Sequence, residues 1–420
     1  PVNYNILVFD QTLKNNSSIS FINLNTIRFG SARDANVSAA LFDFNDKKNV
    51  YNWSGKVAVS QRFTGGNTSS GYSHNWNFNK NGGRWNFNLG EEIASPKYNI
   101  NDMGILFTNN YIDHYMWTAY RWIKPTKWYN RIQLNFNAYY SMLMKNVPGQ
   151  KISSKFQSFN TNINGNMQLK SLWWVGFFVG YVPAGNDFYE PRVTGYSFRS
   201  PSRFQLNPWF NSNSTKKYYF EFNYFVGLRS LFNSPNHEFY VSHRYRFSDK
   251  FSVSHNLYLN PTKNDAGFYT VYDVNPVFDI IFSRRDLKTI ENVVSIKYSF
   301  NNKSGITFRA RHYWSKVEVK QLYDLQDDGT LQPTAHNNIP IENQNYNIFN
   351  IDAVYTLQFA PGSFLNIVWK DEGEFSDEQV YRTYFKNLDR TLNAPQLNNL
   401  SLKIVYYLDY LKIRNWGKKK

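Results

Sequence analysis

The residues that could do chemistry in this chain are few, and their spacing limits what that chemistry could be. Among 420 residues there are 7 histidines and no cysteine, so thiolate catalysis, disulfides and cysteine-held zinc are excluded. His243 and His255 lie symmetrically about a tight turn in FSDKF (247–251) and would face each other across a hairpin. Such a pair could bind a metal, contact a partner protein from an outward face, or stay neutral near lipid headgroups; two ligands alone make a poor metal site. Arg284, Arg285 and Asp286 stand together at the start of a strand. They offer either an anion or sugar contact at an extracellular rim or an ion-pair cluster that ties a loop down. Arg309 and Arg311 share one face of a strand, and Asp352 is an acid within reach on the next. Lumen charges of this kind set pore selectivity or brace a wall. The carboxylates of DEGEFSDEQ (371–379) have the makings of a glycosidase acid pair but fit an acidic extracellular loop better. No HExxH, nucleophile elbow or phosphate-binding loop occurs in the sequence. The expectation is a chain with no catalytic residue, no bound metal and no cofactor.

These residues need elements to position them, and the period of the sequence says which. Ile132, Leu134, Phe136, Ala138, Tyr140 and Met142 share one parity, while Arg131, Gln133, Asn135, Asn137 and Ser141 hold the other. Further on, Tyr218, Phe220, Phe222, Tyr224, Val226 and Leu228 oppose Glu221, Asn223 and Arg229. A period of two with one greasy face is the mark of amphipathic β-strands. Aromatic residues make up 19% of the chain, yet its mean hydropathy is −0.57, which suits alternating strands better than a helical core. No run of about 18 apolar residues exists, so a membrane-spanning helix is excluded. A membrane barrel, whose strands are half polar, is not.

Tight turns at 79–84, 123–127, 247–251, 300–305 and 359–364 alternate with long connections at about 183–196, 261–286, 321–345 and 374–396. Outer-membrane barrels sort their connections this way, short on the periplasmic side and long outside. The expected fold is therefore all-β: a large antiparallel transmembrane β-barrel of roughly 18–20 strands over 1–411, followed by a basic periplasmic tail at 412–420. Ile306, Phe308 and Ala310 then face lipid, Thr307, Arg309 and Arg311 face the lumen, and Tyr313 and Trp314 mark an interface. In LSLKIVYYLDYL (400–411), Leu400, Leu402, Ile404, Tyr406, Leu408 and Tyr410 form one face of a terminal strand. The net charge of +16 invites a nucleic-acid reading. The basic residues are scattered, however, and the aromatics lie on the face opposite them, so no nucleic acid is expected as partner.

A terminal strand descending to the periplasm makes residues 4–12 descend as well, which implies an odd number of strands upstream that complete the barrel; the alternative is that 4–12 does not span and eighteen strands form a complete barrel. Three stretches carry a resemblance: IIFSRRDLKTIENVVSIKYSFNNKSGITFRARHYWS (280–315), LSLKIVYYLDYLK (400–412) and NNSSISFINLNTIRFGSARDANVSAALFDFNDKKNVYN (15–52). They resemble a family of Bacteroidota outer-membrane barrels of unknown function. The resemblance implies that a domain similar to family-nine carbohydrate-binding modules precedes the barrel, of which this chain is the C-terminal part. It implies location and architecture and no activity. The functional expectation is a non-catalytic structural or conduit subunit in the outer membrane of a Gram-negative bacterium, within a larger envelope complex. Alternatives are a pore for sugars or polar solutes and a hydrolase whose active site lies outside this chain. Expected partners are outer-membrane lipid and lipopolysaccharide, an upstream fragment of the same polypeptide, and other envelope proteins.

Overall fold

The alternating segments become strands throughout the computed structural model, which describes residues 1–410 and 414 except 31, 275 and 276. In chain order they are β1 (Val2–Thr12), β2 (Ser18–Arg28), β3 (Asp34–Asn45), β4 (Tyr51–Thr64), β5 (Asn67–Lys80), β6 (Trp85–Ala94), β7 (Tyr111–Trp122), β8 (Tyr129–Leu143), β9 (Phe156–Leu169) and β10 (Trp174–Val182). A small separate ribbon follows, formed by β11 (Gly185–Asp187) and β12 (Phe198–Ser200). The series resumes with β13 (Arg203–Asn211), β14 (Tyr218–Arg229), β15 (Ser234–Arg246), β16 (Phe251–Val274), β17 (Val277–Ser299) and β18 (Ser304–Leu325). It ends with the short β19 (Leu331–Pro333), β20 (Gln344–Ala360), β21 (Ser363–Asp377), a helix α1 (Tyr384–Leu392) and β22 (Gln396–Val405).

Each long strand pairs antiparallel with the next, giving one twenty-stranded sheet in which β19 is a three-residue addition beside β18. Nineteen long strands remain among the described residues, within the range the periodicity predicts. The β4–β5 hairpin closes on Gly65 and Gly66 at φ 55° and 81°. A two-residue turn of this hand needs positive φ at both positions, which glycine supplies at no steric cost. β1 and β22 each have one neighbour and leave the other edge unpaired among the described residues.

Register partners share a face, so one face can be followed across the sheet. Phe136 lies opposite Ile163, Val179 opposite Leu206, Leu206 opposite Val226, and Phe222 opposite Val241. The other face pairs Asn135 with Asn164, Ser242 with Asn256 and Arg311 with Asn350. The apolar face is not packed away: Trp53, Tyr181 and Leu228 are each 50% exposed. At its short-turn end the face carries a band of rings. Tyr120–Trp122, Trp173–Phe210, Phe247–Phe251 and Phe251–Tyr298 have centroids 4.8–6.2 Å apart.

The sheet curls toward its polar face. Adjacent strands are about 4.8 Å apart, so on a flat sheet β9 and β18 would be separated by roughly 34 Å. Yet the connection after β8 meets the connection after β18 through Lys151 and Asp327 at 3.3 Å. Phe198, beyond β10, is buried against Ile280 and Phe282 of β17. On the polar face, Tyr98 from the 95–110 connection packs on Ala58 and Ala94. Asp102 from the same connection reaches Arg28 at 3.0 Å and Arg33 at 2.9 Å.

Several expectations are corrected. Residues 261–286 are not a connection: β16 and β17 run on into a long hairpin. Phe268, Thr270, Val271, Tyr272, Ile280, Ile281 and Phe282 have the branched and aromatic side chains that strands favour. Segments from elsewhere cover both sides of this extension, leaving Ile281 and Phe282 fully buried. Arg284, Arg285 and Asp286 accordingly lie within β17 rather than at its start. Residues 371–377 belong to β21 and not to an acidic loop. The terminal strand stops at Val405, short of Tyr406, Leu408 and Tyr410. Trp314 is 3% exposed beneath α1 rather than standing free at an interface, and Tyr313 is on the polar face. The expected basic tail at 412–420 lies outside the described residues save Arg414.

Candidate functional site

The polar face is where chemistry-bearing side chains converge, and its two halves differ. From β3 to β9 it is an amide wall. Asn52 donates to Asp43 at 2.7 Å, Asn79 to Asn52 at 3.0 Å, and Asn88 to Asn77 at 3.1 Å, with the Tyr115 hydroxyl donating to Asn77 at 2.9 Å. A second run links the Trp117 indole to Asn135 at 3.2 Å, Asn135 to Asn164 at 2.9 Å, and Asn137 to Asn162 at 2.8 Å. Alternate asparagines stack in these ladders because the strand period is two and the register is unbroken through Asn135–Asn164. An amide carries both donors and acceptors, so the wall can exchange hydrogen bonds with hydroxylated neutral solutes, while Tyr115 and Trp117 offer aromatic faces beside them.

From β17 to β21 the face is charged. Arg311 donates to Glu291 at 2.7 Å and to Asn350 at 3.5 Å, and its guanidinium lies 5.2 Å from the ring of Tyr313. Asn350 in turn donates to Glu372 at 2.8 Å. Arg309 is the direct register partner of Asp352, but the Asp352 carboxylate makes its ion pair with Lys370 at 3.8 Å. The sequence reading thus finds the right face and the right neighbours, and the structure gives the acids different partners. Glu291 is the partner that reading missed; its parity on β17 matches that of Arg311 across the turn at 300–303.

Higher on the same strands, Asp265 bridges Arg229 at 2.9 Å and Arg285 at 3.2 Å. Asp286 takes Lys263 at 2.7 Å and Lys320 at 3.7 Å, and Arg284 donates to Gln321 at 3.4 Å. These contacts tie β14, β16, β17 and β18 together toward the long-connection end. Of the three residues 284–286, Arg285 and Asp286 are in ion pairs with different partners, and Arg284 lies against Gln321 and the ring of Phe232.

On the apolar face, His243 and His255 are direct register partners, with rings 6.3 Å apart and nearly parallel at 3°. Tyr218 Oη is 2.6 Å from His243 Nδ1, and His255 Nε2 is 3.1 Å from Asn292. A second cluster on this face was not singled out from sequence. Glu91 stands between His74 at 3.1 Å and His114 at 3.3 Å, and Trp76 donates to it at 3.3 Å. Only the pairing of β5, β6 and β7 brings those four together. Helix α1 also packs on this face: Asn292 donates to Tyr384 at 2.8 Å and Asn345 to Asn387 at 3.0 Å. Among the described residues no group of three or more His, Asp or Glu is placed to hold a metal ion.

A family model described as Domain of unknown function (DUF5916) matches residues 1–417. No curated protein matches the chain.

Proposed function

We propose, for a chain that belongs to the Domain of unknown function (DUF5916) family, the role of a non-catalytic conduit wall: a β-barrel in the outer membrane of a Gram-negative bacterium that encloses a path for polar solutes. One observation carries this reading. A sheet of this size exposes a continuous apolar face, with large rings such as Trp53 and Tyr181 half uncovered, and turns an amide-lined face inward. Soluble proteins rarely leave contiguous apolar patches beyond a few hundred Å², whereas a membrane barrel presents such a band to lipid with aromatic girdles at its edges. Lipid and lipopolysaccharide are then its surroundings. The amide wall with its tyrosines and tryptophans suits sugars and other hydroxylated solutes. The edges of β1 and β22 that are unpaired among the described residues support completion of the wall by further strands.

Purified protein reconstituted in liposomes should conduct small neutral sugars and stay with the membrane through an alkaline carbonate wash. Extraction without detergent would overturn the barrel. A membrane-bound protein with no solute flux would leave a structural wall and overturn the conduit. A second reading, a subunit of an envelope complex, is favoured by the Glu91 and His243–His255 clusters, since charged and hydrogen-bonding groups on a lipid face are costly unless partnered. Copurification with and without His243→Leu and His255→Leu tests it: unchanged partner recovery removes that interface.

A further inference from the structure

At the short-turn end of the apolar face, the turns after β9 and β13 frame an open recess of about 790 Å³. Its wall is aromatic. Trp173, Tyr218 and Phe220 line it, and the Phe210 ring lies 6.1 Å from that of Trp173 and 5.7 Å from that of Phe220. Its rim is cationic, with Lys170 from one turn and Lys216 from the other.

The charge at this rim is one-sided. No carboxylate lines the recess, and neither lysine makes an ion pair among the described residues. Glu221 of β14 is on the opposite face, where the Tyr219 hydroxyl donates to it at 3.2 Å. On one side, the turn at 123–128 adds Lys124 and Lys127 and no acid, and its Trp128 carbonyl accepts the Lys170 N–H at 3.0 Å. On the other side, Asp249 stands next to Lys250 in the turn at 247–251, outside the lining. The backbone that carries the lysines is fixed. Asn213, 8% exposed, donates to the Ser171 carbonyl at 3.1 Å and ties the two turns together. From the polar side, Arg244 and Arg246 donate to the Ser214 carbonyl at 2.7 and 3.2 Å.

We propose that this recess binds an anionic phospholipid, with the headgroup phosphate between Lys170 and Lys216 and the acyl chains against Trp173, Tyr218 and Phe220. The proposal rests on the membrane reading given above. Cations beside apolar rings, with no acid to answer them, call for a ligand that carries both negative charge and hydrocarbon. A lysine stem lies along apolar surface and delivers its ammonium to the headgroup level, where aromatic rings also settle, and an ammonium binds phosphate as a point charge. A free anion would leave the aromatic wall uncovered, and an uncharged lipid would leave the two lysines unmatched.

The test is native mass spectrometry of the full chain in mild detergent with equal amounts of phosphatidylglycerol and phosphatidylcholine. Phosphatidylglycerol should be retained in preference. Lys170→Gln and Lys216→Gln should each weaken its binding about fivefold, and the double variant should lose more. Both lysines are exposed on turns, so these variants keep the fold. Lys303→Gln, on the turn after β17, should change nothing. Equal retention of the two lipids, phosphatidylglycerol binding unchanged in the double variant, or an equal loss in Lys303→Gln would each overturn the site. Inorganic phosphate or lipid A bound in its place with the same lysine dependence would overturn the phospholipid assignment. The membrane reading fails separately. A protein that carbonate washes from membranes but that still shows the lysine-dependent preference would keep the site and lose the barrel. A membrane-held protein without the preference would lose the site alone.

Discussion

Gly71 and Asp102 show how single residues hold the 95–110 connection on the polar face. A Cβ at Gly71 would stand 2.1 Å from the Tyr98 nitrogen and 2.2 Å from the Lys97 carbonyl carbon, both backbone atoms. Gly71→Ala should therefore lift the connection, destabilise the protein by about 1–3 kcal/mol, and speed proteolysis within 95–110; an unchanged cleavage rate would refute the docking. Burial pushes the Asp102 carboxyl up, but Arg33 and Arg28 outweigh it and hold the group below the usual carboxylate range. A lowered folded value contributes stability above the unfolded Asp value of about 4 and loses it as pH falls through the folded one. Cleavage of this connection should thus be constant near neutrality and rise only in acid. Asp102→Asn should raise it near neutrality and flatten the acid response. None of this was legible in the sequence, where Gly71 and Asp102 are distant from Tyr98 and Arg28 in different ways: one by a register, the other by a fold of the connection.

At the scale of elements, the strand carries the argument through its parity. Thr307 and Ala310 are three residues apart on β18 and lie on opposite faces. On the proposed reading, Ala310→Arg puts a cation near the lipid midplane and should cost about 2–4 kcal/mol. Thr307→Arg, on the polar face, should be close to neutral. Equal effects in a denaturant titration from lipid vesicles would refute the orientation. Parity of this kind could be read directly from SGITFRAR, because a slip of one residue moves every side chain to the other face. The elements that were misread broke the simple rule. Helix α1 sits inside a stretch that looks like a loop, held by buried Asn387 and Thr391. The β16–β17 extension looks like a connection because its sequence loses clean alternation where both of its sides are covered.

For the whole molecule, the unpaired edges of β1 and β22 make the strongest expectation. An edge strand presents a row of free N–H and C=O groups that pair readily with another strand. If further strands complete the wall, β1 and β22 amides should exchange hydrogen rapidly in this chain alone and be protected when it is isolated from membranes with its partners. Intact-mass analysis of that complex should then reveal a noncovalently bound polypeptide that supplies those strands. Slow exchange at both edges in the isolated chain would show that they have found each other. The charge on the polar face is also a property of the whole: arginine and lysine stand with glutamate and aspartate on β17–β21, whereas β3–β9 carry mainly amides with the acids Asp43, Glu92 and Asp113 among them. On the conduit reading, Arg311→Gln frees Glu291 and should shift the reversal potential of the reconstituted protein toward cation selectivity.

What the sequence determined by itself is what a period of two determines: strands, their two faces, the tight turns at Gly, Pro, Asn and Asp, and the opposition of His243 to His255 about a four-residue turn. These follow from local geometry, since side chains alternate and a short turn sets its own register. Tertiary structure alone decided which acid meets which arginine, that Glu91 gathers His74 and His114, and that Arg229 and Arg285 share Asp265. Those depend on how pairings accumulate over many strands and on how connections fold back across the curl. Distances between residues far apart in sequence are set by the pairing and curl of the whole sheet, and no local pattern encodes them.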